Sequence, residues 1–591
     1  MKSNVWWNVA SVAIASGSVM ITDPAIAQSL FIAYPADQYE TTYDRIFLIG
    51  TASPDGEVKV NGETIERSPD GHFAPTVPLQ MGRNQITLTH GNEQLTLTVN
   101  RISATSPTPV GVSFAADSLS PAVNIARQPG ELICFSAIAP PSGEVSVQLG
   151  NQTLPLTEQP LVELPPNSAV LTFQNQPIPI PGAASYQGCA TATEAGSFGQ
   201  PEFQLTLNGQ TVSQAAPGTV SVLSPAQIEI AEVTAESGTA RTGPSTDYSR
   251  LTPLPQGTQA MITGREGEWL RLDYGAWIRD SEVQIRSSAV PPRSLIRSVQ
   301  ARQVEGWTEI VFPLQVPVPV TVDQGSNTFT LTLHNATAQT DTILLSDDPL
   351  IERLDWTQPD PDRIQYVFHL KTEQQWGYKL DYRGTSLVLS LRHPPASDVP
   401  EASDRPLSGV SVLLDPGHGS NADLGARGPT GYPEKDVTLI VSKLLQNELT
   451  RRGATVYMTR EGDEDLYPQD RVDMINEVEP TVSLSLHYNA LPDNGDAIHT
   501  TGIGTFWYNT QAHDLAMFLH NYLVGTLDRP SYGVFWNNLA LTRPTVAPAV
   551  LLELGFMINP YEFEWITNPA EQQKLAIALA DGLTDWIQKR E

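Results

Sequence analysis

The chain of 591 residues has few basic side chains, few cysteines and, beyond its first residues, no long apolar run. Its 35 Lys and Arg are outnumbered by 65 Asp and Glu, which gives a formal net charge of −30. Because such a surface repels phosphate backbones, we exclude nucleic acid as a partner. The acidity favours solubility and identifies no substrate. After the N-terminus, no segment is long and apolar enough to suggest a membrane span.

The N-terminus is typical of an export signal. Lys2 supplies a positive charge, and an apolar stretch with polar interruptions follows from Val5 to Ile21. Ala25-Ile26-Ala27 then fits a small-x-small cleavage site. A membrane anchor is the alternative, but the apolar stretch is short and polar-spotted for a span. We therefore predict a signal peptide over residues 1–27 and an exported mature protein.

The two cysteines, Cys134 and Cys189, predict a single bond between them. In an exported chain such a pair usually forms a disulfide, and two free buried thiols are the alternative. Closing a loop of this length would stabilise the folded state by about 4 kcal/mol in the chain-entropy model.

The chain length suggests three to five domains, and alternating apolar and polar residues predict strands at its start. Residues 29–102 carry the hairpin turn Asn61-Gly62 and resemble an immunoglobulin-like β-sandwich. Residues 110–224 contain both cysteines and many prolines, which predict a second β-rich domain with edge strands. The ligands of these two domains are not predicted.

Two further β domains are expected before the C-terminal region. Residues 226–286 contain the motifs Ala240-Arg-Thr-Gly-Pro-Ser245, Gly267-Glu-Trp-Leu270 and Ala276-Trp-Ile278. With these motifs they resemble the small Src-homology-like barrels that are often attached to bacterial cell-wall enzymes. Their Trp269 and Trp277 are either a ligand-stacking platform or buried core, and burial is favoured. Residues 293–394 contain the runs Thr308-Glu-Ile-Val-Phe312, Pro317-Val-Pro-Val320 and Thr328-Phe-Thr-Leu-Thr-Leu333, the last followed by His334-Asn-Ala336. In this order they resemble the AMIN type of envelope-targeting β-sandwich. The Pro-, Ser- and acid-rich residues 395–407 predict a flexible linker.

From residue 408 the pattern changes to alternating strands and helices. Val410 to Leu414 is a continuous apolar run, as expected for a strand buried on both faces. Apolar residues then recur at helical spacing up to Leu449, and Gly453 can end that helix. Residues 408–591 are thus predicted to form a three-layer α/β domain that follows the N-terminal all-β modules.

Four functional side chains of this domain are expected at one edge of its sheet. His418, His487 and Glu553 follow or end predicted strands, and Glu434 begins a predicted helix. Ligands of such sheets gather at the carboxyl ends of the strands. Two imidazoles and one carboxylate can hold one zinc ion with an open position for water, while a second carboxylate moves protons. Singly, each has a plainer explanation, such as a surface histidine or a helix N-terminal charge.

The motifs around these residues are Leu414-Asp-Pro-Gly-His-Gly419, Gly425-Ala426, Gly431-Tyr-Pro-Glu-Lys435, Thr459-Arg460, Ser485-Leu-His-Tyr-Asn-Ala490 and Pro548-Ala-Val-Leu-Leu-Glu-Leu-Gly-Phe556 with Asn559. With them, residues 408–591 resemble the zinc-dependent N-acetylmuramoyl-L-alanine amidases. The resemblance implies that His418, Glu434 and His487 bind one Zn²⁺ and that Glu553 is the catalytic carboxylate. It also implies hydrolysis of the amide between N-acetylmuramic acid and L-alanine in peptidoglycan, for cell-wall remodelling or daughter-cell separation.

Three more residues are candidates for supporting roles. Asp415 and Asn489 are expected to orient the ligands or to form turns. Arg543 matches a position where relatives often carry arginine, and it would bind a peptide carboxylate or the reaction intermediate, or form a surface salt bridge. The competing ligand candidates are predicted to be solvated or packing residues; they are His499, His513 and His520.

The resemblance also suggests partners and a location. Peptidoglycan is the expected partner, a protein activator is a further candidate, and the periplasm or cell wall is the expected location. Only 65 residues separate His487 from Glu553, so we expect no long helical insertion over the zinc. Two alternatives stay open: a zinc carboxypeptidase acting on stem peptides, and a catalytically inactive wall-binding regulator. Stem-peptide specificity and oligomeric state are not predicted.

Overall fold

The computed structural model describes residues 30–102, 108–172, 174–395 and 405–590. The predicted signal peptide, residues 1–27, lies outside these ranges, and so do residues 396–404 of the predicted linker. Within the described ranges, every helix is too short or too polar to cross a membrane.

Residues 30–102 fold into small, mostly antiparallel sheets around one apolar core, to which alternate strand positions such as Ile86 and Leu88 contribute. Asn61 and Gly62 have positive φ angles of 52° and 89° and form the predicted turn between two strands. The strands are β1 Phe31–Tyr34, β2 Tyr39–Thr41, β3 Arg45–Phe47, β4 Ile49–Thr51, β5 Val58–Val60, β6 Glu63–Thr64, β7 His72–Phe73, β8 Thr76–Pro78, β9 Gly82–His90 and β10 Glu93–Arg101.

The next block is also built of strands and contains both cysteines. Cys134 and Cys189 lie opposite each other on paired strands and are joined by the predicted disulfide, with an Sγ–Sγ distance of 2.10 Å. A 3-10 helix, Asn167–Thr172, lies in the loop of its long hairpin β14–β15. The strands are β11 Ile125–Arg127, β12 Leu132–Ala139, β13 Glu144–Leu149, β14 Gln152–Glu163, β15 Ile178–Thr191, β16 Gly196–Gly199, β17 Glu202–Leu207, β18 Gln210–Ala215 and β19 Val220–Val222.

The strands after residue 226 continue a sheet of this second block, because β11 pairs antiparallel with β23. Trp269 and Trp277 are 6% and 8% exposed, so both are buried. The strands are β20 Ile228–Val233, β21 Ser237–Gly238, β22 Leu254–Pro255, β23 Gln259–Glu266, β24 Trp269–Leu272, β25 Trp277–Arg279 and β26 Val283–Ser288, with the 3-10 helix Asp280–Glu282 before β26.

Residues 293–394 form two sheets over one shared core, with the strand orders β31-β27-β28-β35-β34 and β29-β30-β33-β32. Their strands are β27 Ser294–Val304, β28 Trp307–Phe312, β29 Val320–Gln324, β30 Thr328–His334, β31 Ala336–Leu344, β32 Ile351–Asp360, β33 Arg363–Leu370, β34 Tyr378–Arg383 and β35 Ser386–Arg392. The immunoglobulin-like, Src-homology-like and AMIN-like assignments of the upstream blocks, with their boundaries, stay predictions.

The C-terminal region is a mixed α/β fold, as predicted. Its strands are β36 Ser411–Pro416, β37 Thr455–Met458, β38 Val482–Asn489, β39 Ile503–Trp507, β40 Ser531–Trp536 and β41 Ala549–Phe556. Its α-helices are α1 Glu434–Arg451, α2 Pro468–Val478, α3 His513–Leu527, α4 Pro560–Ile566 and α5 Pro569–Arg590, and its 3-10 helices are Thr510–Ala512 and Ala540–Thr542.

One six-stranded sheet, in the order β37-β36-β38-β41-β39-β40, forms the centre of this domain. Strands β37, β36, β38 and β41 are parallel, whereas β39 and β40 run in the opposite direction. Helices α1, α3 and α5 pack on one face, and α2 contributes Ile475 to the core of the other. The carboxyl ends of β36, β38 and β41 therefore meet at one edge of the sheet.

The upstream blocks contact the α/β domain directly. Trp376 is 1% exposed and packs against Trp586 of α5, with ring centroids 5.3 Å apart. At the N-terminal block, the backbone N–H of Phe47 donates to the Asp493 carbonyl at 3.0 Å, and the Tyr34 hydroxyl bonds the Asp493 carboxylate. The loop that follows β38 is thus held by a β domain.

Candidate metal centre

The edge formed by β36, β38 and β41 collects the four predicted functional residues. His418 lies two residues beyond β36, in a left-handed conformation with a φ of 61° that non-glycine residues rarely adopt. His487 on β38 is the register partner of Glu553 on β41. Glu434 is the first residue of α1. The sheet topology therefore brings together groups that are up to 135 positions apart, the span from His418 to Glu553.

Three of the four side chains form a compact donor set. One ligand atom from each of His418, Glu434 and His487 lies within 4.8 Å of the other two. The Nε2 atom of His418 is 3.1 Å from Glu434 Oε2, and the Nδ1 atom of His487 is 3.1 Å from Glu434 Oε1. Two nitrogens and one carboxylate at such distances could hold a metal ion.

This close packing requires glycine at two positions beside the donors. A Cβ atom added to Gly417 would lie 2.4 Å from Cε1 of His487. At Gly425, where φ is 68°, a Cβ would lie 2.5 Å from both Glu434 Oε2 and His418 Cδ2. A side chain at either position would fill the space between the donors, which accounts for the glycines of the two motifs.

The donors are oriented by hydrogen bonds from outside the set. Asp423 Oδ1 lies 2.6 Å from Nδ1 of His418, which leaves the Nε2 atom facing Glu434. Glu434 Oε2 accepts from the backbone N–H of Ala426 at 2.9 Å, and its Oε1 accepts from that of Tyr488, also at 2.9 Å. The carboxylate is therefore held in one orientation.

Burial and charge act in opposite directions on these groups. Burial alone would raise the pKa of Glu434, but hydrogen bonds with His418 and His487 outweigh it and lower that pKa to about 2. Burial alone would lower the pKa of His418, but the carboxylates of Glu434 and Asp423 outweigh it and raise that pKa to about 9. The site thus keeps the buried Glu434 carboxylate ionised and favours the positively charged form of His418 beside it.

Glu553 differs from Glu434 in its surroundings. Its Oε2 atom is buried and has no hydrogen-bond partner among the described residues. Burial, assisted by the nearby charge of Glu434 and opposed by His487, raises the pKa of Glu553 to about 7. A buried carboxylate oxygen without a partner is costly, and a group with this pKa can exchange protons near neutrality. The donor set and this oxygen together fit a hydrolytic divalent metal site.

The predicted supporting residues lie in three different places. Asp415 is fully buried and accepts hydrogen bonds from Arg471 at 2.6 Å and Thr459 at 2.6 Å, so it anchors the strand end that carries His418. Asn489 ends β38, where its Oδ1 accepts from the Ala490 N–H at 2.8 Å in a tight turn.

Arg543 lies in a cleft whose lining includes none of the three candidate metal donors. Its Nε donates to Asn538 at 2.8 Å, and its guanidinium lines a cleft with Tyr508 and Arg250 instead. The other histidines also lie outside the donor set. His499 pairs with Asp496 on the surface, the ring of His513 packs on Trp507, and His520 bonds Ser531 at 2.7 Å.

Sequence reasoning did not name Asp423 or Arg471. Asp423 is five residues after His418 in a polar loop, and Arg471 lies on α2, where it also donates to the His418 carbonyl at 2.6 Å. The short spacing of Asp423 from His418 was an available signal. No local pattern distinguishes Arg471 from other helical arginines, so only the tertiary fold shows its role.

Residues 412–585 match the family model of N-acetylmuramoyl-L-alanine amidases, which confirms the predicted resemblance for this segment. The probable cell wall amidase LytH of Staphylococcus aureus is 36% identical over 184 residues, covering 30% of this chain and 58% of LytH. The chain thus spans little more than half the length of that relative.

Two solved structures are also similar to this region. The N-acetylmuramoyl-L-alanine amidase from Clostridium difficile 630 has 30% identity, covers 31% of this chain and 98% of its own, and has a TM-score of 0.29. The amidase AmiC2 of Nostoc punctiforme has 28% identity, covers 30% and 97%, and has a TM-score of 0.29.

Proposed function

We propose that residues 408–591 hydrolyse the amide bond between N-acetylmuramic acid and L-alanine in peptidoglycan, as a zinc-dependent N-acetylmuramoyl-L-alanine amidase. The observation that carries this proposal is the convergence of His418, Glu434 and His487 beside a fourth group, the unpartnered Glu553 oxygen. The family match over residues 412–585 supports the choice of reaction.

The proposed ligands of Zn²⁺ are His418, Glu434 and His487, and one ion would be bound per domain. When bound there, zinc would polarise the scissile carbonyl and make water more acidic. Glu553 acts as the proton carrier: its carboxylate takes a proton from the attacking water and delivers it to the leaving nitrogen of L-alanine. A pKa raised to about 7 suits both halves of that task.

The residues around the ligands keep this geometry before substrate arrives. Asp423 holds the imidazole of His418, and backbone N–H groups hold the carboxylate of Glu434, so little reorganisation is needed during reaction. Asp415 and Asn489 act one step further out, through the strand end and the turn that they stabilise.

The upstream blocks are proposed to position this catalyst in the envelope. The AMIN-like residues 293–394 would target it and the Src-homology-like residues 226–286 would contact the wall. We propose peptidoglycan as the partner, a protein activator as a further one, and the periplasm or cell wall as the location. The name of the relative LytH, a cell wall amidase, supports that location.

The decisive test is metal analysis of the full chain combined with mass spectrometry of digested muropeptides. We expect about one zinc per chain, release of intact stem peptides that begin with alanine, and loss of activity after chelation. Glu553→Gln should lower the rate by about 10²- to 10⁴-fold while zinc stays bound, because only the proton carrier is removed.

The exposed Glu477→Gln on α2 is the matched control and should leave the rate unchanged. Release of single C-terminal residues would instead establish a carboxypeptidase. Bound wall with no cleavage at all would indicate an inactive regulator, and an unchanged rate in Glu553→Gln would contradict the proposed mechanism.

A further inference from the structure

The polar cleft lined by Arg543 lies between the α/β domain and residues 226–286. It has a volume of about 530 Å³ and is lined by residues of three parts of the chain. Arg241 and Arg250 come from the barrel-like block, Arg543 comes from the loop before β41, and Asn167 and Leu171 come from the β14–β15 hairpin.

The three guanidinium groups of this cleft have no acidic partner. Within the described ranges, Arg241, Arg250 and Arg543 form no salt bridge, although the chain carries 65 acidic side chains. The single carboxylate lining the cleft, Asp247, is exposed and bonds Ser245 instead. Positive charge is therefore concentrated here, and the charges of Glu282 and Asp247 act on Arg241 without forming an ion pair with it.

The arginines are also partly desolvated. Arg241 is only 8% exposed. Its Nη1 donates to the carbonyls of Thr246 at 2.8 Å and Tyr248 at 2.7 Å, whereas its buried Nε–H has no hydrogen-bond partner among the described residues. Burial, together with the charges of Arg250 and Arg241, lowers the pKa of Arg543 to about 10. An unpaired buried donor beside two other guanidinium groups is unfavourable unless an anion enters the cleft.

An aromatic surface completes the cleft. Trp536 is 58% exposed, lies with its ring centroid 5.2 Å from that of Tyr508, and is fixed by its Nε1–H, which donates to the Tyr508 carbonyl at 3.0 Å. Such a rigid exposed ring offers an apolar face to a ligand whose anionic group is bound by the arginines.

The cleft is separate from the metal centre. Gly504 at the start of β39 pairs with Glu553, whereas Tyr508 follows the other end of that strand. Four residues of extended strand separate Gly504 from Tyr508 by roughly 13 Å, so the donors and the cleft lie towards opposite ends of β39. A peptide stem of a few residues is of comparable length, about 3.5 Å for each residue.

We propose that Arg241, Arg250, Arg543 and Trp536 form a binding site for the carboxylates of peptidoglycan stem peptides. This inference rests on the proposed function, because it assumes that the chain acts on the wall. The planar guanidinium forks suit the two oxygens of a carboxylate, and the indole suits an adjacent aliphatic or sugar surface.

The test measures binding rather than cleavage. The full chain carrying Glu553→Gln is titrated by calorimetry with a purified disaccharide-peptide, first with free carboxylates and then with its carboxylates amidated. We expect amidation to weaken binding by about tenfold or more, and Arg250→Gln to cause a loss of the same order. Arg250→Gln should also raise KM for peptidoglycan with little change in kcat.

Arg286→Gln is the matched control, since Arg286 is exposed, pairs with Glu232 and lies in the same block outside the cleft. Trp536→Ala is a second variant. Because Trp536 is exposed, its removal should leave the fold intact, and it should also weaken binding of the disaccharide-peptide. Unfolding curves of all variants should coincide with that of the parent chain.

Equal affinity for free and amidated ligand, or unchanged affinity in both Arg250→Gln and Trp536→Ala, would overturn the proposal. Selective competition by inorganic phosphate, with amidation having no effect, would assign the cleft to phosphate-bearing polymers and also overturn it. Wild-type hydrolysis of the same muropeptide is scored separately, so failure of the amidase proposal and failure of this one are distinguishable.

Discussion

His418 of the candidate metal centre is held by a contact outside the donor set. The Asp423 carboxylate bonds Nδ1 of His418, whose backbone has a φ of 61°. Because the other ring nitrogen is the one left for a metal, this bond selects the tautomer as well as the orientation. We therefore expect Asp423 to influence how strongly the donor set binds a metal ion.

At this scale we predict that Asp423→Asn weakens zinc affinity by about 10- to 100-fold, because the imidazole loses the carboxylate that orients it and raises its basicity. A competition titration with a chromophoric chelator measures the change. Asp496→Asn is the matched control, since it breaks another Asp–His pair, with exposed His499, outside the donor set. Equal affinities of Asp423→Asn and the parent chain would contradict the assigned role.

At the scale of single elements, strand pairing places chemistry that lies far apart in the sequence. β38 and β41 are register partners at His487 and Glu553, and β12 and β15 are register partners at Cys134 and Cys189. In both cases the backbone ladder determines which side chains meet. The same rule brings together a proposed metal ligand and the proposed proton carrier in one domain and a covalent crosslink in another.

The crosslink makes a measurable contribution to stability. Closing a loop with a sequence separation of 55 residues should stabilise the 110–224 block by about 4 kcal/mol, because the bond restricts the unfolded chain. Urea unfolding of the chain with and without reductant measures this difference, and the variant carrying Cys134→Ser and Cys189→Ser should match the reduced chain. A urea midpoint that reductant leaves unchanged would contradict the prediction.

At the scale of the whole molecule, the β blocks and the α/β domain share buried contacts. Trp376 inserts from residues 293–394 into the core of α1, α3 and α5. Arg392 of the same block donates to the carbonyls of Glu479 at 2.8 Å and Val546 at 3.0 Å. These contacts stabilise the domain that carries the metal centre from outside it.

We therefore expect Trp376→Ala to destabilise the α/β domain by about 3–5 kcal/mol, the usual effect of removing a large buried aromatic side chain. Circular dichroism at 222 nm monitors this domain, because the α-helices of the described ranges lie after residue 433. Trp356→Ala, at a 38% exposed tryptophan of the same block, is the control. If Trp376→Ala and Trp356→Ala lowered the unfolding free energy by similar amounts, Trp376 would not belong to a core shared by the two domains.

A contact between two β blocks should make the molecule sensitive to acid. The ring of His334 lies 4.8 Å from that of Tyr274, and burial, with the charge of Arg363, lowers the pKa of His334 to about 4. The folded state thus favours the neutral imidazole. Its contribution to stability is complete above pH 6.5 and is lost as the pH falls from 6.5 towards 4.

His334→Gln should therefore flatten the decrease in unfolding free energy between pH 6.5 and 4. Denaturant titrations at several pH values measure it, and His369→Gln, which removes a histidine paired with Asp355 near the surface, is the control. The same pH slope in parent chain and His334→Gln would show that other groups cause the acid sensitivity.

The amino-acid pattern alone was enough to predict the main elements of the α/β domain and to name the candidate donors. Apolar runs such as Val410 to Leu414 predict buried strands, because a strand covered on both faces has no polar side, and the glycine motifs mark where donors need close backbone approach. His418, Glu434, His487 and Glu553 could be named because motif and strand end coincide.

Which distant surfaces meet became apparent from the three-dimensional fold. The Arg241, Arg250 and Arg543 cleft joins two blocks, and Asp423, Arg471 and Trp376 gain their roles from packing that no local pattern encodes. The physical reason is that periodicity reports which side of an element is buried, whereas the partner of that side depends on the long-range arrangement of all elements together.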